Sequence, residues 1–269
     1  MSDSSRFVGD IPTHYDQGLG PVIFQQYAKD LAERAAKVTP ANVLEMAAGT
    51  GILTRHLRDL LPAEAALTAT DLNAPRLECA RAKFGEAEKV QFRTADAMQL
   101  DFADDTFDLV VCQFGVMFFP DKIASYREAL RVLKPGGTYL FNVWGSLEDN
   151  PFARITDSLA AELFPEDPPQ FYKVPFHYHD VDQVRADLEA AGITAHDATT
   201  VTFVQTIDDP AAFSHGLVFG NPFVAEIEAK DNHTAEEIRV MIEARLHDAF
   251  GPAPLKMPLK ATVLAARRV

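Results

Sequence analysis

The sequence predicts an α/β protein built around a mostly parallel sheet. Short apolar, strand-like segments alternate with amphipathic helical segments between residues 40 and 145. One strand-like run enters a helix through a turn that contains Gly49 and Gly51, and a later helix ends at Lys134-Pro135-Gly136-Gly137 before the next strand. Strands that alternate with helices form βαβ units, whose right-handed crossovers make neighbouring strands parallel.

The composition is that of an ordinary soluble globular protein. The 269 residues are 47% hydrophobic and 24% charged, enough for one large α/β domain. The 39 acidic and 25 basic residues give a net charge of −14, which disfavours binding to nucleic acid or to anionic membranes. Cys79 and Cys112 fall in a predicted helix and a predicted strand, and no secretory signal is recognised, which favours a reduced cytoplasm. No apolar run reaches the ~20 residues of a membrane span. We expect a cytoplasmic monomer or homodimer without membrane insertion.

The first half of the chain predicts most of the sheet. Ile23, Tyr27 and Leu31 are spaced by four and predict a helix over about 21–37, with Pro21 in its first turn, after a polar arm. Apolar runs and periodicity then predict strands at 42–46, 65–71, 90–94, 107–112 and 138–143, and helices at 51–60, 75–84 and 123–133.

The rhythm changes after Trp144. Residues 146–175 contain five prolines and many acids around one short helix at about 152–163. Further along we predict helices at 181–191 and 236–250, strands at 199–203 and 261–266, and mixed loop and helix at 210–232. We expect a single domain, 1–269, in which 40–145 is the ligand-binding core. Segments 1–37 and 146–255 are expected to be additions that cover the substrate, since long loops in a compact domain usually serve function.

The run from Val43 to Gly51 is the most informative part of the chain. Its apolar strand ends in the carboxylate of Glu45 and passes through Ala47, Gly49 and Gly51 into a helix. A turn of small residues lets the backbone approach a ligand, and the free N–H groups of the following helix point toward it. An ordinary strand–helix turn is the alternative.

Polar side chains follow the next strands at the same predicted edge of the sheet. Asp71 stands 20 residues beyond Gly51, where a doubly wound fold needs an acceptor for two ribose hydroxyls; a helix cap is the alternative. Asp96 can accept a hydrogen bond from an exocyclic amine, with the Ala97 N–H and apolar cover from Met98, or it can cap a loop. Gln113 stands where the fourth long strand ends, at the edge where ligands bind. Together these positions predict a site for an adenosine ligand with a zwitterionic tail.

Five motifs carry a resemblance to a known family. VLEMAAGTG, ATDLN, ADAMQL, FDLVVCQFGVMFFPD and RVLKPGGTYLFNVW follow one another over residues 40–145. In order and spacing they resemble class I S-adenosylmethionine-dependent methyltransferases of the ubiquinone/menaquinone-biosynthesis-type branch (methyltransferase type 11). The resemblance implies a doubly wound seven-stranded, mostly parallel sheet with the last strand antiparallel, an N-terminal helical arm and a lid insertion. It weakens beyond residue 145.

The resemblance also implies S-adenosyl-L-methionine as the cofactor and gives the site residues their roles. Gly49 and Gly51 would lie against the methionine part, and the Ala47 carbonyl would accept from its ammonium group. Asp71 would hold the ribose hydroxyls, Leu72 would pack on adenine, and Asp96 and Ala97 would bind the adenine amine and ring edge. Gln113 would lie near the sulfonium. Ala47 departs from the usual first glycine, and a positive φ there would strain an alanine.

The chemistry of such a ligand sets the search for catalytic residues. A sulfonium is already an activated methyl donor, so the protein must align the nucleophile, exclude water and in some cases remove a proton. His179 and then His177 are the predicted bases; a metal pair lacks a third ligand, and a surface or capping loop is the alternative. No metal is predicted. Tyr15 and Tyr27 are candidates to cover the cofactor, with Tyr27 as plain core the favoured alternative.

Aromatic residues concentrate near the predicted edge. They predict a small, aromatic or apolar molecule as the acceptor, methylated on carbon or oxygen. A non-catalytic cofactor-binding or assembly relative is a second possibility. An NAD-dependent oxidoreductase is a third, although Thr54 stands where its fingerprint needs a small residue. The predicted mouth consists of Phe114, Met117, Phe118, Phe119, Trp144, Phe171, Tyr172 and Phe176.

Overall fold

A computed structural model describes residues 9–269 and shows one seven-stranded sheet. The strand order is β3-β2-β1-β4-β5-β7-β6. The first five strands pair in parallel, and β7 runs antiparallel to both of its neighbours. The predicted fold, with an antiparallel last strand, is therefore confirmed. The strands are β1 Asn42–Glu45, β2 Ala66–Asp71, β3 Val90–Thr94, β4 Phe107–Gln113, β5 Leu133–Trp144, β6 Ala195–Ile207 and β7 Leu255–Arg267.

Helices connect and cover these strands. Tyr27, Leu31 and Tyr126 are fully buried side chains that tie the helices to the sheet in one hydrophobic core. The helices are α1 Ile11–His14, α2 Gln25–Ala36, α3 Ile52–Leu60, α4 Ala74–Arg81, α5 Lys122–Val132, α6 Pro151–Leu163, α7 Lys173–His177, α8 Val181–Ala190, α9 Pro210–Phe219, α10 Phe223–Glu228 and α11 Ala235–Phe250. Within residues 9–269, none of them combines the length and apolar character needed to cross a bilayer.

The N-terminal arm differs from the sequence-based expectation. Helical structure begins at Ile11 rather than near 21, and Pro21 lies inside a π-helix, Tyr15–Phe24, that continues into α2. This helix packs closely on α9, because a Cβ on Gly18 would come within 2.7 Å of the Gly216 Cα. The small residues that interrupt the apolar spacing thus form a close helix contact, which periodicity does not detect.

The last two strands are longer than predicted. β6 and β7 each contain thirteen residues and pair along their full length. β6 is an edge strand, and most of its exposed side chains are polar. Only the part of it near Val201 and Phe203 has the apolar residues typical of a strand.

The strand order indicates which edge of the sheet can bind a ligand. β1 lies at the centre with β2 on one side and β4 on the other, so the chain order reverses beside it. Ligands of open α/β sheets bind at such a switch point, outside the carboxyl ends of the strands.

Candidate functional site

A cavity opens at the carboxyl ends of β1, β2, β4 and β5. The empty space of the cavity, counted together with the adjoining open solvent, is about 1490 Å³. Ten of the eleven predicted cofactor residues line it, and Gly51 is the exception. The ten are Tyr15, Glu45, Ala47, Gly49, Asp71, Leu72, Asp96, Ala97, Met98 and Gln113.

Two residues of the turn after β1 adopt the left-handed backbone conformation. Ala47 has φ +53° and Gly49 φ +57°. The positive φ that the sequence analysis considered for Ala47 is therefore present. For an alanine, this left-handed backbone conformation costs about 1–2 kcal/mol. The Ala47 methyl packs at the end of β4, where a Cβ on Gly115 would lie 2.5 Å from it. Small residues on both sides therefore let the turn and the end of β4 meet.

Gly51 serves the packing of the turn rather than the cavity. Its φ is +82°, and a Cβ there would lie 2.9 Å from the Ala80 Cβ in α4. Gly51 does not line the cavity and closely approaches a helix on the other side of the turn, and its contact with the cofactor stays a prediction.

We expect Gly51→Ala to destabilise the fold and to leave ligand affinity within a few-fold. The left-handed backbone costs roughly 1–2 kcal/mol and the contact with Ala80 roughly 1–3 kcal/mol. Urea unfolding measures the loss. Gly136→Ala is the matched control, because Gly136 has φ +80° and a Cβ there would have no atom of residues 9–269 within 4 Å beyond its chain neighbours. A loss no larger than in that control would contradict the packing explanation.

Asp71 is buried at the end of β2 and organises two loops. Its Oδ2 accepts the Gly49 N–H at 2.9 Å, and its Oδ1 accepts the Asn73 N–H at 2.8 Å and a longer contact of 3.3 Å from Asn73 Nδ2. The alternative of a helix cap does not hold, since the N-cap of α4 is Asn73, without a side-chain cap. One carboxylate thus fixes the glycine turn relative to the cavity.

Asp96 both shapes its loop and faces the cavity. Its Oδ1 accepts the Met98 N–H at 2.9 Å, while its backbone carbonyl accepts from Gln99. The loop-capping alternative is therefore realised, and the second carboxylate oxygen remains for a ligand. Ala97 and Met98 line the cavity beside it.

Glu45 is a buried acid in the cavity wall. It is only 1% exposed, and among residues 9–269 its Oε2 has no hydrogen-bond partner. Burial, with a further contribution from the charge of Asp71, raises the pKa of Glu45 to about 8. A buried carboxyl of this kind is suited to a cationic ligand group.

Arg76 also lines the cavity, and the sequence analysis does not identify it. It stands five residues beyond Asp71, on the first turn of α4. Its position is the signal in the sequence that points to it, because a side chain on the first turn after a ligand-binding strand end can reach back over that edge.

Aromatic rings form the other part of the cavity. Seven of the eight predicted residues line it, whereas Met117 is packed in the core. The Phe114 and Trp144 rings stack with centroids 3.8 Å apart, and Phe114 has φ +49°. Phe24 and Phe152 extend the set beyond the prediction. Tyr27 is fully buried against Phe114 and Trp144 and belongs to the core, in agreement with the favoured alternative.

Gln113 connects the arm to the sheet. Its Nε2 donates to the Phe24 carbonyl at 3.0 Å, across 89 residues of sequence. Tyr15, in the same π-helix, stacks on Phe24 with centroids 4.8 Å apart. The arm is therefore part of the cavity wall.

His177 and His179 lie outside the cavity. Both side chains are exposed, His177 ends α7, and His179 Nδ1 lies 2.8 Å from the Phe176 carbonyl oxygen. The helix ends at His177, and His179 lies in the loop that follows, so the extended segment considered from the sequence is not present at His177. Neither histidine lines the cavity, and the role of general base stays a prediction; Asp180 caps α8, as in the capping-loop alternative. Residues 9–269 contain no cluster of three metal-ligating side chains.

Comparison with known proteins identifies the family. A methyltransferase-domain family model matches residues 44–141. Over 126 residues the chain is 36% identical to the ubiquinone/menaquinone biosynthesis C-methyltransferase UbiE of Pseudomonas aeruginosa, covering 46% of this chain and 49% of that protein. Over 173 residues it is 30% identical to UbiE of Idiomarina loihiensis, covering 60% of this chain and 69% of that protein.

The match to the Pseudomonas enzyme spans about half of that protein's length. Among solved structures, YcgJ of Bacillus subtilis has a TM-score of 0.60 at 21% identity, over 90% of this chain and 98% of that one, which supports the fold. The motifs, the strand order and these matches agree, and the chain belongs to the class I S-adenosylmethionine-dependent methyltransferases.

Proposed function

We propose that the chain binds S-adenosyl-L-methionine in this cavity and transfers its methyl group to a small aromatic or apolar acceptor. The observation that carries the proposal is one continuous cavity whose polar end has three carboxylates and whose other end is aromatic. The names of the relatives favour C-methylation of a quinone-type ring, and O-methylation is the alternative.

The polar end fits the cofactor group by group. Asp71 is the acceptor for ribose hydroxyls, and Asp96 with the Ala97 N–H binds the adenine edge under Leu72 and Met98. The carboxyl of Glu45, with one oxygen unpartnered among residues 9–269, faces the region of the cationic tail beside Ala47 and Gly49. The bound cofactor supplies an activated methyl group.

The aromatic end positions the acceptor. Phe114 and Trp144 form a flat stacked surface, and Phe171 and Phe176 from the insertion complete the walls. Among the described residues that line the cavity there is no histidine, lysine or cysteine. We therefore propose that alignment and exclusion of water drive the transfer, and that the acceptor enters already nucleophilic, as a phenolate-like ring does.

The test is a two-stage assay on the purified chain. Calorimetry with S-adenosylmethionine and S-adenosylhomocysteine measures binding, and an acceptor panel of hydroquinones, phenols, amines and phosphorylated amines is scored for release of S-adenosylhomocysteine. We expect release with the ring compounds. Turnover confined to charged amines would overturn the acceptor class, and binding without turnover on any ring compound would favour the non-catalytic alternative.

The arm (about 8–27) and the segment 165–180 are proposed to close over the bound cofactor. Ile23 and Leu19 of the π-helix and Phe171 and Phe176 of the insertion all line the cavity; residue 8 lies outside the described residues. We predict that S-adenosylhomocysteine slows amide hydrogen exchange in both segments. Residues 195–197 of β6 and 265–267 of β7 pair with each other and do not line the cavity, and they serve as the internal control. Equal exchange with and without ligand would contradict closure.

A further inference from the structure

Arg76 stands out among the polar residues of the cavity by its charge. Of the cavity-lining residues within 9–269 it is the only basic one, against Glu45, Asp71 and Asp96. The zwitterionic ligand proposed above carries one anionic group, the α-carboxylate of its amino-acid tail. The roles given so far leave that carboxylate without a partner.

The guanidinium lies at the correct end of the cavity. A Cβ on Gly49 would be 2.7 Å from Arg76 Nη2, so the guanidinium lies directly against this glycine of the turn. Only a residue without a side chain allows that approach. Gly49 borders the region where the amino-acid tail is proposed to bind, and Arg76 therefore reaches the tail rather than the adenine.

Tyr15 holds the guanidinium in place. The Arg76 Cζ lies 5.1 Å from the centroid of the Tyr15 ring, within cation–π distance. Burial raises the pKa of Tyr15 above its usual range, and the charge and hydrogen bond of Arg76 act in the opposite direction. The ring thus stays neutral and restricts the orientation of the planar guanidinium, which is suited to bidentate binding of a carboxylate.

Resting on the proposed function, we propose that Arg76 binds the α-carboxylate of the cofactor and that Tyr15 orients it. Arg76 then makes the amino-acid tail a requirement for tight binding. It also connects tail recognition to the arm, because Tyr15 belongs to the π-helix that forms one wall of the cavity.

Two ligands that differ only in the tail test this. S-adenosylhomocysteine carries the carboxylate, and 5′-methylthioadenosine keeps the nucleoside and thioether without it. Calorimetry gives both dissociation constants for wild type, Arg76→Met and Arg76→Lys. Arg81→Met is the matched control, since Arg81 lies on the same helix, outside the cavity, with its guanidinium over Phe92.

We expect Arg76→Met to weaken S-adenosylhomocysteine about tenfold or more and methylthioadenosine less than twofold. Arg76→Lys should retain part of the difference, and it decides the test if the methionine variant does not fold. Arg81→Met should change neither ligand. Equal weakening of both ligands, or of neither, overturns the role of Arg76. Failure of wild type to bind S-adenosylhomocysteine overturns the proposed function and this inference together.

Discussion

Replacing Asp71 by alanine is expected to weaken S-adenosylhomocysteine binding a hundredfold or more. The carboxylate is buried, 4% exposed, at the end of β2 in the cavity wall. A hydrogen bond to a charged acceptor contributes about 1.5–3 kcal/mol. Because one carboxylate binds two ribose hydroxyls, two such free energies are lost together, and the two fold-losses in affinity multiply.

The hydrogen bonds of Asp71 leave room for both hydroxyls. A carboxylate has about four lone-pair sites. Oδ2 uses one for the Gly49 N–H, and Oδ1 uses one for the Asn73 N–H. The remaining site of Oδ1 takes the 3.3 Å contact from Asn73 Nδ2, which is long enough for a ligand hydroxyl to displace. Each oxygen is therefore able to accept one hydroxyl.

The measurement must separate this role from the support that Asp71 gives to the turn. Calorimetry is combined with urea unfolding, and Asp101→Ala serves as the control, because the Asp101 side chain is fully exposed after β3. S-adenosylhomocysteine and its 2′,3′-dideoxyribose analogue are compared in each variant. If Asp71→Ala weakens both ligands by the same factor, the carboxylate acts through the turn and not through the ribose.

The polar half of the site is predictable from the sequence because its signals are local. Asp71, Asp96 and Gln113 each lie at or just after a strand end, and a parallel sheet brings strand ends to one edge whatever else the chain does. Glu45 is placed in the same way, but its raised pKa depends on burial, which the sequence alone does not show.

The residues that the sequence misplaces depend on tertiary contacts. Gly51 and Gly49 look equivalent in the sequence, yet one glycine faces Ala80 and the other Arg76, a distinction that requires α4 to be in place. His177 ends the five-residue helix α7 and His179 follows it, and neither lines the cavity; the spacing of two histidines does not show that so short a helix forms there. The close contact between Gly18 of the π-helix and Gly216 of α9 likewise joins segments that lie far apart in the sequence.

The second large effect is expected from Glu45→Gln, which should increase the free energy of unfolding at alkaline pH. Burial raises the pKa of Glu45 to about 8 in the folded protein, against a usual value of 4.5. The folded state then holds a proton that the unfolded state releases. The associated stability is fully present below about pH 4.5 and is lost as the pH rises to about 8. At 1.36 kcal/mol per unit of pKa, the complete loss is on the order of 5 kcal/mol.

Glutamine at this position resembles the protonated acid and has no proton to lose. Urea unfolding at pH 5, 7 and 9 should therefore show the wild type losing stability over this range relative to Glu45→Gln. The control is Glu64→Gln, at an exposed carboxyl in the loop before β2, which should follow the wild type. Parallel curves for wild type and Glu45→Gln would show that Glu45 is ionised throughout in the folded protein.

The same acid links cofactor binding to proton release. If the cationic tail lies beside Glu45, ligand binding lowers the pKa of the carboxyl, and a proton leaves when binding occurs below about pH 8. Calorimetry at pH 7 in buffers of different ionisation enthalpy should detect close to one released proton for S-adenosylhomocysteine in the wild type and none in Glu45→Gln. Affinity should then rise with pH up to about 8 and level off in the wild type, and stay flat in the variant. Equal proton release by both proteins would place the cationic tail away from Glu45. The effect of this acid on the free energy of unfolding at neutral pH would then be unrelated to ligand binding.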